Sequence, residues 1–324
     1  MKEILDFILT FSAVLWEAMP FIVLGAVVAG ILEEFLPQQA ITKFLPKAVV
    51  PSVMIGGVLG LVFPMCECGI VVVMRRLLKK GLPLSCCIAY MLAGPILNVV
   101  VIFSTWIAFK DHKIGYEVVA MRVGLGFLTA VVTGLVVQGL WTKHGTSLLA
   151  PGAMPPVEKP KPATSLNVVE HDHSDPKKPF MQRLSNISST AIHDFVDITV
   201  FLILGAVLAA LAKQYITSDQ IESLSREEPL IAIPAMMLMA VLMCLCSEAD
   251  AFVAASFTKM HISAKMAFLV LGPMLDLKLL LMYTRVFKPR LIATIVTCVV
   301  IQVLIYCFAI HVIYQSNHWT GMPG

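Results

Sequence analysis

Apolar residues fill eight long stretches of this chain, roughly 9 to 32, 49 to 74, 82 to 109, 116 to 140, 193 to 213, 230 to 257, 264 to 284 and 290 to 314. Each is as long as the roughly 20 residues that an α-helix needs to cross the hydrocarbon core of a bilayer. The polar interruptions are short except over residues 142 to 190, where Pro151, Pro155, Pro156, Pro160, Pro162, Pro176 and Pro179 stand among lysines and no apolar period is sustained. That composition predicts a disordered cytoplasmic linker. The pattern predicts an all-α polytopic membrane protein of about eight transmembrane helices, with a first membrane repeat over 1–141, the linker over 142–190 and a second repeat over 191–324.

The halves are copies of one another. A displacement of 178 residues carries Cys66-Glu67-Cys68 onto Cys244-Leu245-Cys246, and Gly94-Pro95-Ile96-Leu97-Asn98 onto Gly272-Pro273-Met274-Leu275-Asp276. Phe21 to Val27 recurs as Phe201 to Val207, so the first apolar segment belongs to the repeat and is expected to be retained rather than cleaved as a signal peptide.

Composition agrees with the membrane reading. Hydrophobic residues make up 58% of the chain and charged residues 14%, against roughly 45 to 50% and about 25% in soluble proteins. A net charge of +3 gives no reason to expect a nucleic-acid partner. The basic residues cluster between stretches. Arg75, Arg76, Lys79 and Lys80 follow the second, and the linker adds Lys143, Lys159, Lys161, Lys177, Lys178 and Arg183. Placing both groups in the cytoplasm puts the amino terminus there, and four spans per half would give the repeats one orientation. Arg285, Lys288 and Arg290 disagree, because they would then face outward. Half-helices or re-entrant pieces in the second and sixth stretches would change that parity.

Candidate chemistry lies in the duplicated motifs. On an intact helix, side chains two residues apart point about 200° from one another and cannot grip one ion. Cys66 and Cys68 therefore ask for a broken helix, and Pro64 and Gly69 supply the residues that open one. Thiolates select Cu(I) or Zn(II): two sulfurs suit near-linear Cu(I), and four sulfurs, or two with carboxylates, suit tetrahedral Zn(II). The candidate metal ligands are Cys66, Glu67, Cys68, Cys244, Cys246, Glu248 and Asp250, with Met65 and Met243 placed to add thioether contacts. The metal is read as the transported ligand, with no permanent cofactor.

Glu67, Glu248, Asp250 and Asp276 fall within apolar stretches, where an aspartate costs at least about 2.5 to 3.5 kcal/mol. Such residues face a cavity, a partner or an ion. Lys278 stands two residues beyond Asp276, so an internal ion pair competes with ion binding there. Pro95 and Pro273 interrupt their helices, and Asn98 and Asp276 are expected to line the crevices so formed.

Cys86 and Cys87 follow the basic cluster, where metal from a cytosolic donor would pass, although packing is the competing reading because their counterparts are Ala264 and Lys265. Cys298 and Cys307 read as core. His171 and His173 in the linker are candidates for metal capture.

The run from Pro64 through Gly69, Arg75-Arg76, Gly81-Leu82-Pro83 and Met91 to Asn98 resembles the permeases that include organoarsenical efflux proteins. Cys246 to Phe257 and Leu271 to Lys278 resemble the copper/zinc efflux branch of that family. The resemblance implies a multi-pass inner-membrane permease exporting Cu or Zn, with Cys66, Cys68, Cys244 and Cys246 at its core. Members of that branch often carry a histidine-rich central linker, whereas this one holds only His144, His171 and His173.

No Gly-x-x-x-x-Gly-Lys-Ser/Thr loop is present, so nothing here points to nucleotide hydrolysis, and the chain reads as a transporter rather than an enzyme. Three alternatives stay open at this level: a trivalent arsenical as the cargo, a membrane thiol-disulfide oxidoreductase, and a metal sensor that binds without transporting.

Overall fold

The computed structural model describes residues 2–35, 46, 48–63, 65–110, 114–150, 180–215, 229–257 and 260–316. Their helices are α1 (Lys2–Phe35), α2 (Val49–Val62), α3 (Glu67–Lys79), α4 (Leu84–Ala93), α5 (Val99–Phe109), α6 (Gly115–His144), α7 (Phe180–Tyr215), α8 (Pro229–Met243), α9 (Asp250–Ser256), α10 (Ile262–Leu271), α11 (Leu277–Tyr283) and α12 (Pro289–Ser316). Four of them, α1, α6, α7 and α12, are long and apolar enough to cross a membrane individually. The other apolar stretches are each divided into two shorter helices.

The second division in each half is built alike. α4 and α10 are displaced by 178 residues at both ends, and so are the starts of α5 and α11. Asn98 caps α5 by accepting the Val100 N–H at 3.0 Å, and Asp276 caps α11 by accepting the Leu279 N–H at 2.6 Å. A short polar side chain after Gly-Pro satisfies a backbone donor that the broken helix leaves without a partner.

Glycine contacts give the direction of the first division. Gly56 of α2 lies against Cys86 of α4, and Gly60 lies against Gly94 and Leu97, so α2 and α4 run parallel and level. The chain therefore turns back between them. α3 descends beside α4, with Ile70 against Gly94 at one end and the Leu82 N–H bonded to the Leu77 carbonyl at the other. Thus α2–α3 is a re-entrant hairpin. In the second half α8–α9 is the equivalent, with Ala240 of α8 near Gly272 at the end of α10.

The eight expected spans do not correspond to eight unbroken helices among the described residues. Four long helices and two divided ones, α4–α5 and α10–α11, traverse the molecule, and the two hairpins do not. Among the described residues, corresponding helices of the two halves run in opposite directions. α6 and α12 are antiparallel: Leu149 bridges Phe287 at one end, Gln302 Nε2 donates to Thr133 Oγ1 at 2.9 Å midway, and the Tyr314 hydroxyl meets Glu117 at the other end. α1 and α7 also run oppositely, with Gly30 near the end of α1 against Ile187 near the start of α7.

Inversion resolves the charge conflict. Arg75, Arg76, Lys79, Lys80, Lys143, Arg285, Lys288 and Arg290 all lie at one end of the bundle, as the approach of Arg285 to Arg75 and the Lys288 N–H bond to Leu148 require. By the excess of basic residues in cytoplasmic loops, that end is the one expected to face the cytoplasm. α1 runs toward it, so the start of α1 lies at the opposite face of the bundle. At the edges of the expected linker, α6 continues to His144 and α7 begins at Phe180. Residues 151–179, with His171 and His173, lie outside the described residues, as does Pro64.

Candidate functional site

Each hairpin ends in a Cys-x-Cys motif, and the two tips meet inside the bundle. Cys66 is the N-cap of α3 and Glu67 its first residue, so both side chains point from the end of a helix rather than along its flank. On the other hairpin, the turn between α8 and α9 puts Cys244 in a left-handed conformation at φ 48°. A non-glycine residue there costs on the order of 1–2 kcal/mol, strain of the kind that concentrates at functional sites. One ligand atom each from Cys66, Glu67 and Cys246 lies within 4.8 Å of the other two, and all three residues are buried. The Cys66 thiol also interacts with Cys68, and the Cys246 thiol lies 2.6 Å from Glu248 Oε2.

Lys278, in the first turn of α11, reaches into this cluster. Its Nζ lies 2.8 Å from Glu67 Oε1 and 3.5 Å from Asp276 Oδ2, and it donates to the Cys244 carbonyl at 3.2 Å. The Cys244 thiol faces the backbone N–H groups of Leu277 and Lys278. Cys244 thus belongs to the neighbourhood of the cluster, beside its lysine, rather than to the group of three. Met65 is buried and Met243 is half-buried, both packed in the surrounding core.

Asp250 is held elsewhere. Both its oxygens accept from Arg122 Nη2, at 2.8 and 2.7 Å, while Arg122 Nη1 donates to Thr105 Oγ1 at 2.7 Å. The guanidinium neutralises the carboxylate that the sequence offers as a ligand. Asn98 and Asp276 serve as helix caps, and Pro95 and Pro273 lie in the breaks those caps follow. Cys86 packs beneath Gly56, and the Cys87 thiol donates to the Leu82 carbonyl at 3.8 Å. Cys298 is half-buried and Cys307 buried, both on α12.

The sequence reading passed over Arg122, Glu17 and Asp194. Glu17 of α1 lies close enough to Lys278, Glu67 and Glu248 to feel their charges. Asp194 of α7 takes both Nε and Nη2 of Arg76 at 2.8 Å, and Asp197 meets Arg75 at 3.4 Å. Each is a charged residue in an apolar helix, and that was the available signal.

A family described as Predicted permease matches residues 3–312. The chain belongs to this permease family. It is 34% identical over 296 residues to "UPF0718 protein YcgR" of Bacillus subtilis, covering 91% of this chain and 93% of that one. It is 31% identical over 312 residues to the "Putative two-component membrane permease complex subunit" of Streptococcus mutans, covering 96% and 97%. No solved structure matches it.

Proposed function

We propose that this permease exports a thiophilic metal ion, Cu(I) or Zn(II), across the inner membrane through the site between its two repeats. The observation that carries this reading is the convergence of Cys66, Glu67 and Cys246 within 4.8 Å. Two sulfurs suit Cu(I), and a third, oxygen ligand makes the set suitable for Zn(II). Cys68, Cys244 and Glu248 stand next to the group and complete the coordination as the ion moves. A partner subunit fits the name of the Streptococcus mutans relative.

Expelling a divalent ion against an inside-negative potential costs about 2.3 kcal/mol per charge per 100 mV. Proton entry is the coupling reaction in this proposal, because protonated thiols and carboxylates release metal. Membrane vesicles turned inside out and supplied with Cu(I), Zn(II) or methylarsenite test the cargo. Metal uptake that disappears in Cys66→Ser and Cys246→Ser variants, and on collapse of the proton gradient, is the expected result. Uptake of methylarsenite alone transfers the site to an arsenical, and equal uptake by variant and parent removes the site.

A further inference from the structure

We infer that Lys278 is a tethered counter-cation that competes with the cargo for Glu67, so that cargo binding and the Lys278–Glu67 contact between the repeats exclude one another. The inference rests on the metal-export reading and adds the residue that sets cargo release.

Three observations carry it. Lys278 comes from α11 of the second repeat and Glu67 from the hairpin tip of the first, so their 2.8 Å contact ties the repeats together at the site. Glu67 is also one of the residues that converge as ligands, and both partners are buried, at 1% and 3% side-chain exposure. A carboxylate that coordinates a metal ion cannot keep an ammonium at full contact, because two cations a few ångström apart in a water-poor interior repel strongly.

The lysine has a second seat. Asp276 uses Oδ1 to cap α11 and turns Oδ2 toward Lys278 at 3.5 Å. The backbone at Lys278 is wedged against α7, where a Cβ on Gly205 would lie 2.7 Å from the Lys278 Cα. With the backbone fixed, only the side chain is free to swing. Cargo arrival moves the ammonium from Glu67 toward Asp276, and its return to Glu67 helps to eject the ion and restores the contact between the repeats.

Purified protein in detergent tests this with Zn(II) and Cu(I), each titrated against a competing chelator. Lys278→Gln is expected to bind tighter than the parent by about 5- to 150-fold, the usual range for coupled equilibria, and to release metal more slowly from proteoliposomes. In Glu67→Gln plus Lys278→Gln the gain over Glu67→Gln alone is expected to vanish. Unchanged or weaker binding by Lys278→Gln, with the parent binding metal, overturns the inference alone. A parent that binds neither ion overturns the proposed cargo as well. If Lys278→Gln does not fold, the parent decides: Zn(II) is expected to raise acylation of the Lys278 amine by a small membrane-permeant reagent, and labelling that stays level or falls overturns the inference.

Discussion

Arg122 on α6 grips both oxygens of Asp250 on α9, at 2.8 and 2.7 Å, and pins the outer hairpin to the long helix beside it. Both side chains are almost fully buried. Removing either partner leaves a lone charge in the interior, which typically costs about 3–5 kcal/mol. Arg122→Ala and Asp250→Ala are each expected to lower the thermal unfolding midpoint of the purified protein sharply. The paired change Arg122→Met with Asp250→Leu is expected to recover most of the loss, and additive losses would refute the pairing.

Close packing of α2 on α4 makes a separate prediction. A Cβ at Gly60 would lie 2.5 Å from the Gly94 Cα, whereas at Gly139 nothing lies within 4 Å. Gly60→Ala is expected to destabilise by about 1–3 kcal/mol, as overpacking does, and Gly139→Ala to be tolerated. The comparison is read from unfolding in detergent.

The helix directions fix which residues share a face. Lys79→Cys and Lys288→Cys are expected to react with a membrane-impermeant maleimide from the cytoplasmic side, and Lys110→Cys from the other. Labelling of Lys288→Cys from the outside would restore the parallel arrangement of eight spans and refute the hairpins.

At the cytoplasmic end, Arg76 and Asp194 form a two-pronged pair between α3 and α7, with Arg75 and Asp197 beside them. Breaking it by Asp194→Asn is expected to raise alkylation of Cys66 from the cytoplasmic side several-fold. Restoration by Arg76→Asp with Asp194→Arg would show that the pair acts as a latch, and unaltered alkylation would show that it does not.

Much of this arrangement is legible in the sequence because its cues are local. Gly-Pro followed by Asn98 or Asp276 announces a helix break and its cap, and the displacement of 178 residues aligns α4 with α10. Two cysteines one residue apart imply the loss of helix at Cys66 and Cys244. What the breaks do next is not local. A helix interrupted at Cys66 has the same apolar composition whether the following half continues or turns back, and so the path of the chain after each break is not legible in the sequence. Arg122 was missed for a related reason: its partner Asp250 lies 128 residues away, and no spacing connects them.

The opposed hairpins carry a further consequence. Since α2–α3 comes in from the basic face and α8–α9 from the other, each tip is a plug for water arriving from its own side. On the proposed export reading, retracting one plug wets the thiols from a single compartment, and only simultaneous retraction of both would let ions leak through. Lys278 joins the two tips, pairing with Glu67 of one and donating to the Cys244 carbonyl of the other, so on the metal-export reading the empty carrier is sealed by the same contact that the travelling ion must break.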